Sequence, residues 1–539
     1  MDPQWPKYYA TSSNQRPFEI DALPGETAAF QIVIASGVDG LEGVSIDTTD
    51  FPNFGLRATE PVEIFLVHEI PIQRRSGGQR LHESLGWASS AMPRAPRPPT
   101  TIADALIPIA HAPHWAPYPS QIPARSSQAF WVDLRIPESG TFPITKFGTL
   151  RVRSQAGMLA SIPIKVSVGS TPLPYAAART MLYFDPQEIV KRVGTAEAVD
   201  QYLQLIHAHG ISSSFPLESR NDVQRFSQYL NGDLFSERHG YVGAGAQRSA
   251  DVVVIGAYGA MEDPRPDSLA RVDEMLLELE RLGLTDSPGK CDIFLYAIDE
   301  QCDSPRGRLW QEALRSAESE RLRRLRVGQT CSESPAGQPV DLVMMFASAY
   351  SPTNAWRGRR TDKQVWIYNG MLPNTGSFLT DAPTLSLTAN GWLQAAHRID
   401  RWFYWESTFW EDGNRGGLGP YDPFATAETF HNDQGDYCNG DGMLVYPGRQ
   451  LQFPQHDLGL DGVVPSIRLK QWRRGVQDAA YVELARQRDR KAAERIVNSV
   501  VTGGLDAAHG GSRVPWRGQA EAFARARKQM FDLIESKPK

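Results

Sequence analysis

Two acidic residues stand side by side after an apolar run: Asp299 and Glu300 close the segment CDIFLYAIDE. Ionised neighbours are costly beside such a run, and one carboxyl next to another in a partly dry site has its pKa raised, which suits a general acid. The plain alternative is that Glu300 opens a loop and faces water. Geometry narrows the chemistry further. Two-carboxylate glycoside cleavage holds its acids roughly 5 to 9 Å apart across one bond, whereas consecutive strand residues point to opposite faces. The pair suits a reaction in which the protein supplies the acid and the substrate supplies the nucleophile. A 2-acetamido group can attack its own anomeric carbon to form an oxazolinium ion. Glu300 would then donate the proton and Asp299 would orient the amide and balance its developing charge.

The elements that position this pair begin near residue 179, where strands and helices alternate. TMLYFD, ISSSFPL, DVVVIGAYGA, CDIFLYAIDE, LRRLRVGQT, DLVMMFASA, QVWIYNG and RWFYWEST are strand candidates. Several are near-continuous apolar runs, as parallel strands covered on both faces require. A (β/α)8 barrel fits the count, with an open doubly wound sheet as the competing reading. Barrel sites lie at the C-terminal ends of the strands, where the sequence puts Asp185, Tyr258, Asp299, Glu300, Tyr368, Asn369, Tyr404, Trp405 and Glu406. Carboxylates bind hydroxyls or move protons, and aromatic rings stack on sugars, so this ring of residue types suits a carbohydrate. No Gly-rich phosphate loop follows the first strand and no HxH or HExxH stands at a strand end, so no cofactor and no metal are expected. Roughly the last 75 residues carry helical spacing, clearest in PSIRLKQWRRGVQDAAYVELARQRDRKAAERIVNSV.

Residues 1–172 read as all-β. AAFQIVIAS, VEIFLVHEI, QAFWVDLRI, FGTLRVRS and SIPIKVSVG are short runs between Gly and Pro clusters, which predicts a sandwich. The Pro-rich RAPRPPTTIADALIPIAHAPHWAPYPSQIPA is expected to wrap the sandwich edge or touch the next domain. The fold class expected is thus all-β plus α/β: a sandwich over 1–172, then a barrel with C-terminal helices over 179–539. The 539 residues carry 56 basic and 62 acidic side chains without a basic block, so nucleic acid is not an expected partner. No run of about 18 apolar residues could span a membrane, and no export signal stands at the start. A signal removed before Met1 would place the protein outside the cytoplasm, with the cytoplasm as the alternative. Of four cysteines, Cys302 and Cys331 each follow a strand candidate and could pair if those strands are neighbours; free small hydrophobes is the favoured reading.

The chain resembles the family-123 glycoside hydrolases and their wider relatives, the bacterial family of the domain of unknown function 4091. The resemblance runs almost end to end: PGETAAFQIVI, ADALIP, QAFWVDLRIPESG, the strand-end DE, WIYNGMLPNTGSFLTD, NGWLQAAHRIDRWFYWESTFW, NGDGMLVYPG and PSIRLKQWRRGVQDAAYVELA follow in order. It implies a sandwich before a (β/α)8 barrel and β-N-acetylgalactosaminidase activity by substrate assistance. By position it makes Glu300 the general acid/base and Asp299 the partner of the acetamido group, with Tyr368, Tyr404 and Trp405 lining the sugar pocket. Two features depart from the family. Gln301 and Cys302 follow the pair where Pro is usual, and the segment EDGNRGGLGPYDPFATAETFHNDQGDYC is longer.

Other residues are assigned structural roles. His207 and His209 are read as packed helix residues, Arg473 and Arg474 as a solvated helix face or a barrel-bottom salt bridge, and Asp436 and Asp441 as turn residues. Two rival functions stay open. One is a glycosidase of another polysaccharide whose nucleophile or base is Asp185 or Glu406. The other is a sugar-binding protein on a decayed barrel.

Overall fold

The structure, a computed structural model, describes residues 16–54, 62–77, 98–285, 291–331, 337–351, 363–370, 372–383, 385–411, 415, 417–431, 437–505 and 514–536. Asp436, the opening of the Pro-rich segment and parts of the long segment after Trp410 lie outside them.

Two sheets form the N-terminal sandwich. One runs β1 (Phe18–Ala22), β9 (Gly157–Val168), β8 (Ile144–Ser154), β3 (Leu41–Asp47), β6 (Ser120–Ile122). The other runs β2 (Thr27–Ala35), β7 (Ser127–Arg135), β4 (Val62–Ile72), β5 (Thr100–Pro108). The Pro-rich segment is more than a wrapping: it supplies β5 and β6, and β5 pairs with β4 from Ile72↔Thr100 to Phe65↔Pro108. Its prolines flank the strand rather than interrupt it, which a loop reading of the composition misses. Burial along β7 alternates between two cores. Phe130, Val132 and Leu134 enter the sandwich core, while Trp131 joins Phe65, Val67, Leu106 and Ile467 on the other face. The second face is therefore covered by the rest of the chain, which is why β4 and β7 read as near-continuous apolar runs.

That cover is the long helix Ile467–Val500, capped by the Ser466 side chain on the Leu469 N–H. Its first turns carry basic residues that are buried, not solvated. Arg468 forks onto Asp104 of β5 with Nε–Oδ1 3.0 Å and Nη2–Oδ2 2.8 Å, and Lys470 and Arg473 both pair with Asp133 of β7. Arg473 thus belongs to a charge cluster against the sandwich, while Arg474 pairs with Asp478 on its own helix at 3.1 Å. Buried charges demand such partners. The helix Leu385–His397 crosses the long helix where Gly391 meets Gly475; a Cβ on Gly391 would lie 1.9 Å from the Gly475 carbonyl oxygen, so only glycine allows the approach.

The eight-stranded parallel sheet comprises β10 (Thr180–Tyr183), β11 (Ser213–Ser214), β12 (Val252–Ile255), β13 (Asp292–Ile298), β14 (Arg326–Thr330), β15 (Leu342–Phe346), β16 (Gln364–Tyr368) and β17 (Trp402–Tyr404). Every strand candidate of this half is present. Their order, β11-β10-β17-β16-β15-β14-β13-β12, closes a barrel except between β11 and β12, where the Gly256 N–H still reaches the Leu217 carbonyl at 2.9 Å. Met181, Val254, Phe294, Leu342, Met344, Trp366 and Phe403 fill the interior in layers. At the N-terminal ends of the strands Arg401, fully buried, binds Asp292 at 3.0 Å and Asp251 at 3.2 Å, and Arg179 and Arg326 add to Asp292. The barrel-bottom ion network thus belongs to Arg401.

Helices follow the strands as expected, with one change of cap. The segment NDVQRFSQYL starts its helix from Ser219, not Asn221; Ser219 and Asp222 form a reciprocal capping box. His207 stacks on Phe235 at 3.5 Å between ring centres, and His209 bonds the Leu205 carbonyl at 2.7 Å, so both are packing residues. Cys302 and Cys331 form a disulfide, with Cα atoms 5.1 Å apart. This overturns the favoured reading of free cysteines: their strands, β13 and β14, are barrel neighbours, the condition that pairing needed. Among the described residues no helix is long and apolar enough to cross a membrane.

Candidate active site

The strand β13 ends at Ile298, and the chain then turns. Glu300 takes a left-handed conformation, φ +50°, so it no longer obeys strand alternation and shares the barrel mouth with Asp299. The expected obstacle, neighbouring side chains on opposite faces, is thereby removed.

Asp299 is held by two hydroxyls on one oxygen. Tyr296 donates to Oδ1 at 2.7 Å and Thr330 donates to the same atom at 2.6 Å. Oδ2 has no hydrogen bond among the described residues and remains an open acceptor. Thr330 also accepts the Glu300 N–H at 2.7 Å.

The Glu300 carboxyl receives Tyr368 from across the mouth, hydroxyl to Oε1 at 2.7 Å. Its Oε2 is free among the described residues. Glu300 keeps contact with solvent, yet the desolvation its neighbours impose pushes its carboxyl above the ordinary glutamate range. The Tyr368 hydrogen bond favours the anion and pulls the other way, while the Asp299 charge adds to the rise. A carboxyl shifted upward, with one oxygen bound and one open, can hold and release a proton.

Around the pair stands an aromatic wall. Tyr183 meets Tyr258 edge-on at 4.9 Å, Tyr258 lies 5.4 Å from Tyr296, and Phe346 stacks on Tyr368 at 4.3 Å. Tyr258 donates its hydroxyl to the Trp405 carbonyl, tying the ends of β12 and β17. Trp405 is half-buried, and its indole N–H donates to Asp441 at 3.1 Å. Asp441 therefore orients a wall residue as well as sitting in a turn. Gly442 beside it, φ +71°, must be glycine: a Cβ there would come 2.6 Å from the Trp405 ring.

Four expected site residues do other work. Tyr404 lies on the outer face of β17, buried, stacked on Phe378 at 3.9 Å with its hydroxyl on Asp441, so it does not line the mouth. Alternation along β17 sends Phe403 and Trp405 inward and Tyr404 out. Asp185 caps the helix Pro186–Val193 through the Gln187 N–H at 2.8 Å. Asn369, φ +57°, uses Oδ1 to accept the Trp405 N–H at 3.3 Å and its carbonyl to accept the Trp402 indole N–H at 2.8 Å. Glu406 is buried, with Oε1 accepting from the Ser407 N–H, the Thr408 N–H and the Thr408 hydroxyl; burial pushes its carboxyl up to about 8 in spite of these donors.

Sequence reasoning passed over Tyr183, Tyr296, Thr330 and Phe346. Tyr296 had a signal, an inward tyrosine of β13 three residues before the acid that follows the strand. Thr330 had none, since its role depends on the register of β14 against β13. A separate groove of about 410 Å³ opens on the sandwich beside His68, Glu69, Thr101, Trp115, Gln121 and Gln128, and it shares no residue with the mouth.

Residues 324–485 match the family model described as glycoside hydrolase 123, catalytic domain. The matched stretch holds β14 to β17, with Tyr368 and Trp405, and stops short of Asp299 and Glu300 on its N-terminal side. A solved family 123 glycoside hydrolase from Clostridium perfringens, described in terms of glycolipid glycan hydrolysis, is similar in fold: TM-score 0.64 at 12% identity, covering 97% of this chain and 94% of that one. A family 39 glycoside hydrolase from Bacteroides cellulosilyticus is matched over 79% of this chain and 78% of that one at 10% identity, with a TM-score of 0.31. No curated protein matches the chain.

Proposed function

We propose that this chain, a family-123-like glycoside hydrolase, cleaves glycans bearing 2-acetamido sugars, as a β-N-acetylgalactosaminidase does, with retention through an oxazolinium intermediate. One observation carries the reading. Asp299 and Glu300 each have one oxygen engaged and one open, on neighbouring residues at one mouth. Glu300, its Oε1 held by Tyr368, donates a proton from Oε2 to the glycosidic oxygen as the acetamido carbonyl oxygen attacks the anomeric carbon. The bond to the leaving sugar breaks with its electron pair on the now protonated oxygen. Positive charge develops on the acetamido N–H, which Asp299 Oδ2 accepts and stabilises. The Glu300 carboxylate then takes a proton from water, whose oxygen opens the oxazolinium ring from the opposite face. Two inversions give retention.

The rival enzyme reading needs a nucleophile or base in Asp185 or Glu406. Asp185 uses Oδ1 as a helix cap, and Glu406, shifted up to about 8, is mainly protonated at neutral pH and accepts three hydrogen bonds on one oxygen. A protonated Glu406 does not suit the role of nucleophile or base. Aryl glycosides of N-acetylgalactosamine, N-acetylglucosamine and neutral sugars, with glycolipid glycans alongside, test the substrate class. Turnover confined to 2-acetamido substrates, blocked competitively by a thiazoline mimic, supports the reading; binding across the panel without turnover overturns it in favour of a sugar-binding protein. Export from the cytoplasm, where such polymers are met, is proposed with it.

A further inference from the structure

We infer that Thr330, anchored by the Cys302–Cys331 disulfide, is the positioning residue that keeps Asp299 and Glu300 in register for the reaction. The inference rests on the function proposed above and adds to it residues outside the acid pair.

A threonine hydroxyl has one proton, and at Thr330 it goes to Asp299 Oδ1 at 2.6 Å. The oxygen's lone pair accepts the Glu300 N–H at 2.7 Å. Tyr296, 3.0 Å from the same oxygen, commits its proton to Asp299. Thr330 is therefore, among the described residues, the group whose hydrogen bonds reach both acidic residues at once, on the side chain of one and the backbone of the other. It is buried, and it lies on the next strand, so it reads any slip between β13 and β14 directly.

That slip has a structural cause to guard against. The ladder between the two strands shifts register between Tyr296 and Ile298, and regular pairing ends there. Beyond it the chain leaves strand geometry at Glu300. The disulfide closes this gap: Cys302 lies two residues after Glu300 and Cys331 one after Thr330. The covalent tie and the hydroxyl thus bracket the acid-bearing turn from both sides. Cys331 is itself fixed, buried with its N–H on the Met344 carbonyl at 2.8 Å.

A positioning role predicts losses in turnover rather than in fold or ground-state binding. Thr330→Val keeps the branched shape and deletes the hydroxyl. It is expected to lower kcat about 10- to 100-fold, the worth of a hydrogen bond to a charged group, with KM within about twofold. Affinity for a thiazoline mimic should fall in parallel with kcat, because the mimic engages Asp299. Thr330→Ser restores the hydroxyl and should recover most of the rate. The Cys302→Ser, Cys331→Ser double variant should lose about tenfold or more in kcat, while its KM and circular dichroism spectrum match the wild type. Should that variant unfold, Thr330→Val and its serine rescue decide alone. Asp299→Asn is run beside them. If Asp299→Asn is inactive while Thr330→Val matches wild type in kcat and thiazoline affinity, the positioning inference is wrong and the functional proposal stands. If Asp299→Asn is fully active, the functional proposal fails, and this inference with it.

Discussion

The Tyr368 hydroxyl, at the end of β16, donates to Oε1 of Glu300, beyond the end of β13, at 2.7 Å. This contact favours the carboxylate, so it opposes the desolvation that raises the Glu300 pKa. Deleting it in Tyr368→Phe lets that pKa rise further. The protonated, acid-competent form then persists to higher pH. The basic limb of kcat/KM, which reports the free enzyme's acid, should therefore move upward in Tyr368→Phe. A limb that stays in place or moves down would assign it to another group.

Glu300→Gln removes the proton donor and keeps the shape. Its kcat/KM on an unactivated 2-acetamido glycoside, which reports the steps through departure of the leaving group, should fall by about 10² to 10⁴. An aryl substrate with a leaving group that needs no protonation should lose much less. Equal losses on both substrates would show that Glu300 acts other than as the acid.

Much of this site was legible in the sequence, and the failures share a cause. Asp299 and Glu300 stand out because ionised neighbours are costly beside an apolar run such as IFLYAI, and barrel topology puts such strand ends together. Tyr404 was misplaced because strand alternation could not be phased until β17 was fixed at Trp402–Tyr404. Arg473 was read as a solvated face or a barrel-bottom salt bridge because its partner Asp133 lies more than 300 residues away in sequence. The β5 strand was hidden by proline-rich flanks. In each case the missing information was long-range pairing, which local composition does not encode.

Glu406 makes a prediction about stability. Its carboxyl, ordinarily near 4.5, is pushed up to about 8 by burial. Between those values the folded chain keeps a proton that the unfolded chain releases, so the wild type loses stability as pH rises through this window. Glu406→Gln is neutral throughout and its amide oxygen can still accept from Ser407 and Thr408. Thermal melts should therefore show the variant gaining on the wild type from pH 5 to pH 8. A constant difference across that range would remove Glu406 as the cause.

Asp104 and Arg468 join the sandwich to the barrel half as a buried pair, 1% and 2% exposed. Asp104→Ala strands the guanidinium without its anion and should cost about 3 to 5 kcal/mol. Denaturant titration would register this as an earlier first transition. Adding Arg468→Met should recover a large part of the loss, because the stranded charge goes with it. A single variant as stable as the wild type would contradict the pairing.

The central claim is that the substrate's own acetamido group is the nucleophile, with Asp299 as its partner. The most direct measurement compares kcat/KM for two aryl glycosides of the same sugar that differ only at carbon 2, acetamido against hydroxyl. The account predicts turnover of the acetamido compound alone, lost in Asp299→Asn. Comparable hydrolysis of the hydroxyl compound would contradict it, because no nucleophile from the substrate would then be required.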